Sequence, residues 1–134
     1  MIAKMKQLSN LSGFQKLMLL NAHPIKMVFN YIGGAIGLYF LWQHRGWYAL
    51  IFGLGVALLG TLISKLFGGY DAQKIASTLW GKIFLCYSTT IGFILYISSH
   101  ILIPYACWAH NLYLGLLGLA FLCIGFLIYR KEYF

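Results

Sequence analysis

Acidic side chains are almost missing from this chain. Asp71 and Glu132 are the only two carboxylates among 134 residues, against ten Lys and Arg. Neither lies within an apolar run. Magnesium-assisted phosphoryl transfer gathers several carboxylates around its metal, and proton-coupled antiport uses a carboxylate within the membrane. Neither chemistry can be assembled here. Ser98, Ser99 and His100 could supply a nucleophile and a base, but no acid stands near them in sequence to orient the imidazole. The inventory argues against an enzyme, and the leading reading needs no cofactor.

Charge of either sign is scarce: 9% of residues are charged and 61% are hydrophobic, where soluble domains average about 25% charged. A soluble globular domain is excluded, and with it a groove-reading nucleic-acid binder. The three cysteines, 86, 107 and 123, contain no Cys-x-x-Cys, which argues against a thiol-disulfide enzyme and for free buried thiols. The N-terminus has a basic start but no short apolar core followed by a small-residue cleavage site, so it is not expected to be removed.

What is present is four continuous apolar runs, about 27–42, 47–64, 83–103 and 112–129, each near the ~20 residues an α-helix needs to cross hydrocarbon. None alternates at period two as a barrel strand would. The fold class predicted is all-α: an integral membrane bundle of four transmembrane helices in two hairpins, one domain over 26–134, preceded by an N-terminal segment over 1–25. In that segment Leu11, Phe14 and Met18 recur at helical spacing, Ser12 and Gln15 have the capping-box offset, and Pro24 closes it. Two readings stand for it: an amphipathic helix on the inner leaflet, or an extension that orders only against the spans.

Basic residues set the orientation. Lys4, Lys6, Lys16 and Lys26 precede the first run, Lys65, Lys74 and Lys82 lie between the second and third, and Arg130 and Lys131 follow the fourth. Only Arg45 falls on the other side. By the positive-inside rule both termini are cytoplasmic and the protein sits in the cell (inner) membrane. The net charge of +8 then attracts an anionic inner leaflet, membrane lipids being the first partners expected. On the same argument the Asn10-Leu11-Ser12 sequon faces the cytoplasm and stays unmodified. "QHRG" and "PYACWAHN" are the outer connections, and Gly68 and Gly69 provide a hinge in the inner one.

The two hairpins superpose at an offset of 56, with Lys26 on Lys82, Tyr31 on Tyr87 and His44 on His100, which would make a parallel repeat entering twice from the same side. Gly33 and Gly37 form Gly-x-x-x-Gly, and Gly53 and Gly60, like Gly118 and Gly125, are seven apart. Such faces let helix backbones approach closely in lipid. They serve packing inside the bundle or a homo-oligomer seam.

Two candidate sites follow. His44, His100, Cys107 and His110 all fall toward the outer end, and imidazole and thiolate are transition-metal ligands. A metal or haem site is one reading, and placement in the aromatic belt of Trp42, Trp47, Tyr48, Tyr105 and Trp108 is the other. Thr89, Thr90, Ser98, Ser99 and His100 make the third span the polar one. Polar groups there face the bundle interior or a polar path, so these residues are the candidate contacts for an anionic lipid headgroup.

The paired Gly33-Gly34 after a basic residue, Pro104-Tyr105 in the outer turn of the second hairpin and the ending "FLIYRKEYF" resemble the GtrA-like family of small basic four-span proteins. That resemblance covers about 26–134. It implies a part in cell-surface polysaccharide synthesis, handling polyprenyl-phosphate-linked sugars. The first hairpin, ending "LISKLF", departs from the pattern by lacking the arginine, and no binding residue is carried over. The function expected is thus handling or translocation of an anionic lipid-linked substrate by a non-enzymatic protein. The alternative is an accessory or assembly subunit of a larger membrane complex.

Overall fold

The computed structural model describes residues 11–134, and Lys4, Lys6 and Asn10 lie outside them. The described chain is all-α. Seven helices follow in order: α1 (Gly13–Leu20), α2 (Pro24–Trp42), α3 (Gly46–Phe67), α4 (Ala72–Ser77), α5 (Leu79–Cys86), α6 (Thr90–Trp108) and α7 (Leu112–Tyr133). Four of them, α2, α3, α6 and α7, are long and apolar enough to cross a membrane. They pair as two hairpins, α2 with α3 and α6 with α7.

Local chemistry explains the boundaries. Ser12 and Gln15 close a reciprocal capping box that starts α1. Pro24 occupies the first turn of α2, where its missing N–H costs nothing. The third span is shifted from the expected 83–103, because the chain breaks between Cys86 and Thr90. There Ser88 donates its hydroxyl to the carbonyl of Leu85 at 2.7 Å, while Thr89 accepts from the amide of Gly92 at 3.2 Å. These two hydroxyls end one helix and start the next. The span continues to Trp108, so Pro104 and Tyr105 lie inside α6 and not in the outer turn.

The helix boundaries of the two hairpins recur at an offset of 66 and not 56. Gly13–Leu20, Pro24–Trp42 and Gly46–Phe67 recur as Leu79–Cys86, Thr90–Trp108 and Leu112–Tyr133. Equivalent elements pack on each other, α1 on α5 and α2 on α6. The correspondence is closest in the spans and their turns; outside them it is incomplete, since α5 packs on α7 whereas α1 docks on α4 and α5. Leu19 and its counterpart Leu85 are both fully buried in the core at the open end of the hairpins, with Ala22, Ile75 and Ala76. Leu11 and Tyr133 pack on that same core, which brings the two ends of the described chain together. Thus α1 docks on α4 and α5, and its Phe14 meets Phe93 edge-on at 5.1 Å.

Glycine sets the helix spacing in both copies. A Cβ on Gly53 would come within 3.0 Å of the Gly37 Cα and 3.2 Å of the Gly33 carbonyl, and one on Gly60 would collide with Phe29. In the second hairpin a Cβ on Gly118 would come within 2.8 Å of Ile103, and one on Gly125 would meet Tyr87 at 2.9 Å and Leu95 at 3.5 Å. The six glycines singled out from the sequence therefore serve packing inside the hairpins. Ile103 and Leu95 stand 66 residues after Gly37 and Phe29, but Gly118 and Gly125 stand 65 after Gly53 and Gly60. The missing residue is accounted for by a π-helical turn in α3, Ala49–Leu54, which absorbs one extra residue without losing the helix.

Deleting Leu50 should convert this turn to regular α-helix and leave a folded protein. Deleting Leu116, its counterpart in a helix with no residue to spare, should rotate Gly118 and Gly125 by about 100° and break the second hairpin. Thermal melting of the two deletion variants in detergent checks this, and equal damage from both would contradict the register.

Candidate functional site

The two hairpin turns are built alike. In the first, the His44 amide donates to the Leu41 carbonyl at 2.9 Å and the Arg45 amide to the Phe40 carbonyl at 2.9 Å. In the second, His110 donates to Cys107 at 3.4 Å and Asn111 to Ala106 at 2.9 Å. Both are Schellman closures, which put the residue after the helix cap in the left-handed region, a place usually given to glycine. Here histidine fills it twice, with φ of 54° at His44 and 49° at His110. A side chain in that region costs roughly 1–2 kcal/mol. The cost is met at two equivalent positions.

The turns bring those histidines together. Their Nε2 atoms are 3.1 Å apart, at residues separated by 66. Each ring also rests on the tryptophan of the opposite hairpin: His110 on Trp42 at 4.0 Å between centroids, and His44 edge-on to Trp108 at 4.9 Å. The recurrence of Trp-x-His at 42–44 and 108–110 was the sequence signal for this pairing; an offset of 56 hides it. Of the four proposed metal ligands, His44 and His110 meet. Cys107 is half-buried in the last turn of α6, and among the described residues no group of three or more His, Cys, Asp or Glu could hold a metal ion. His100 lies eight residues before the end of α6, about 12 Å along the helix at 1.5 Å per residue.

The polar residues of the third span do not converge. Thr89 caps α6, and Thr90 begins it with an exposed side chain. Ser99 is fully buried and donates to the Tyr96 carbonyl at 2.6 Å; it occupies the position equivalent to Gly33. Ser98 is half-buried beside it. His100 is exposed near the middle of α6. Its Nδ1 lies 2.8 Å from the Tyr96 carbonyl and 3.2 Å from the Ser99 hydroxyl, and its ring lies over Tyr96 at 4.1 Å. A carbonyl can only accept, so Nδ1 carries the proton and Nε2 keeps a lone pair.

At the open end, His23 is 6% exposed and binds the Gly68 carbonyl at 3.1 Å, tying the start of α2 to the end of α3. Its Nδ1 has no partner. Tyr70 donates its hydroxyl to the Lys16 carbonyl, and burial raises its pKa above the ordinary value. Lys26 lies in the first turn of α2 and Lys65 in the last turn of α3, at the same end of the first hairpin, while Asp71 is occupied in capping α4 through the amides of Gln73 and Lys74. Lys82 lies over the Phe134 ring at 5.5 Å. Burial pushes the Cys86 thiol up to about 11, so it stays protonated and poorly nucleophilic near neutral pH. All three cysteines are free, Cys123 on an exposed face of α7.

No protein-family model matches the chain, and neither a curated protein nor a solved structure is significantly similar to it. Four spanning helices mark it as a membrane protein.

If histidine is strained at the turns, His44→Gly should be more stable than His44→Ala by about 1 kcal/mol, since both lose the ring but only alanine keeps the left-handed penalty. Thermal denaturation of the pair in detergent reads this difference, and equal stability would contradict it.

Proposed function

We propose that this chain is a non-enzymatic protein of the cell (inner) membrane that handles an anionic lipid-linked substrate of the polyprenyl-phosphate class. The observation that carries the reading is His100: an imidazole exposed near the middle of a spanning helix, its Nδ1–H held by the Tyr96 carbonyl. Ionisable groups at that depth are costly and mark ligand or partner contacts. Protonated at Nε2, this ring would be a donor for a lipid phosphate moving along α6; neutral, it would accept from a sugar hydroxyl.

The basic end supports the same reading. Lys26 and Lys65 stand at the same end of the first hairpin, whose two helices carry no acidic residue, so an anion there would meet two cations. With the basic end cytoplasmic by the positive-inside rule, the substrate would be taken from the inner leaflet. The resemblance to the GtrA-like family in Gly33-Gly34 and in "FLIYRKEYF" points the same way, although Pro104-Tyr105 stands within a helix.

A second reading, an accessory or assembly subunit of a larger membrane complex, is favoured by Gly34 and Gly55. Among the described residues neither has a neighbouring atom within 4 Å of where a Cβ would stand, so both offer close approach to a helix from another chain.

Native mass spectrometry of protein extracted in mild detergent separates the two. Lipid handling predicts a bound polyprenyl-phosphate-sized lipid whose occupancy falls about tenfold in His100→Leu, the loss expected for one charge-assisted hydrogen bond. Unchanged lipid occupancy in that variant would sink the reading, and a stoichiometric foreign subunit would replace it with the accessory role.

A further inference from the structure

We infer that His44 and His110 form a binding site for one divalent transition-metal ion, placed where the two hairpin turns meet at one end of the bundle. The inference is independent of the lipid reading. It starts from the tautomers. For the two Nε2 atoms at 3.1 Å to share a hydrogen bond, one must carry a proton and the other a lone pair. The two positions share a turn, a left-handed backbone and a cross-hairpin tryptophan, with His110 tilted on Trp42 and His44 edge-on to Trp108. A metal ion would use the same juxtaposition differently, taking a lone pair from both Nε2 atoms while both Nδ1 atoms keep their protons.

The spacing fits. Two nitrogens at 2.0–2.1 Å from a tetrahedral ion stand roughly 3.3–3.4 Å apart, and the observed separation of 3.1 Å needs an adjustment of only a few tenths of an ångström. Both rings are exposed, so water or an exogenous anion can complete the coordination. No third protein ligand joins the pair among the described residues, so the site is open and exchangeable, unlike a closed structural site. Imidazole pairs suit Cu(II), Ni(II) and Zn(II), in the order of affinity common to nitrogen sites.

Charge placement is compatible. Among the described residues the basic side chains cluster at the open end, and Arg45 alone shares the turn end, with its guanidinium 6.0 Å from the Tyr48 ring centroid. A cation at the turns is therefore opposed by one charge and not by the ring of lysines. Two turns that each place histidine where glycine would fit more easily also provide what such a site needs, a pair of side chains fixed by backbone closures and not by flexible loops.

The test is a Cu(II) titration of the full-length protein in detergent. Trp42 and Trp108 lie against the ligand rings, so their fluorescence is the direct readout, and electron paramagnetic resonance counts the nitrogens. The wild type should bind one Cu(II) per chain with two equivalent nitrogen couplings and strong quenching, reversed by excess Zn(II). His44→Ala or His110→Ala should each weaken binding at least tenfold, as expected for losing half of the protein ligands. The double variant H44G/H110G, whose turns retain their closure, should melt as a folded protein and lose the site. Binding to that double variant as tight as to the wild type would overturn the assignment, and so would Cu(II) binding that depends on His100 or Cys107 and not on the pair.

Discussion

In hydrocarbon nothing squeezes one apolar helix against another, so the distance at which two backbones can meet decides whether a hairpin holds. In this chain that distance is set by glycine. Gly53 meets the backbone of Gly33 and Gly37, Gly60 meets Phe29, and Gly118 and Gly125 make the corresponding approach to Ile103 and Leu95. The constraint reaches into the backbone itself. The first hairpin has one residue more than the second between its turn and its glycines, and the π-helical turn at Ala49–Leu54 takes up that residue so that both pairs stay in register. Across the two hairpins, corresponding elements pack on each other, α1 with α5 and α2 with α6.

The chemistry sits at the two ends of the bundle. Residues that lie 66 apart in sequence meet as a pair: Leu19 with Leu85 in the core at the open end, His44 with His110 at the turns. The pairing at the turns has no apolar drive of its own. It is held by two identical helix closures and by two tryptophans crossing from one hairpin to the other. The open end is different in kind, a packed core of short helices carrying most of the described basic side chains. One small chain thus has a basic face at one end and a pair of imidazoles at the other.

Much of this was legible in the sequence, and the exceptions have physical causes. The number of spans and the capping box at Ser12 follow from length, hydropathy and local hydrogen bonding, and the glycine faces from their spacing, whereas Pro24, expected to close the N-terminal segment, opens the first span. Hydropathy alone starts the third span too early, because the apolar run at 83–87 is followed by only Ser88, Thr89 and Thr90 before it resumes; the hydroxyls of Ser88 and Thr89 end α5 and start α6. With that shift His100 moves from near a span end to near its middle. An offset of 56 misses the repeat: the helix boundaries and turn histidines recur at 66 but the packing glycines at 65, so no single shift aligns both. Trp-x-His at 42 and 108 was the visible clue, and its two copies are the residues the fold brings into contact.

The measurement that bears most directly on this architecture is solid-state nuclear magnetic resonance of protein labelled with ¹⁵N at histidine alone, reconstituted in lipid bilayers. The chain has four histidines, and only His44 and His110 place ring nitrogens within contact distance. The account predicts a single inter-residue ¹⁵N–¹⁵N correlation, abolished by replacing either of those two residues. Absence of that correlation in the intact protein would mean that the turns do not meet, and the pairing of the hairpins at that end would fall with it.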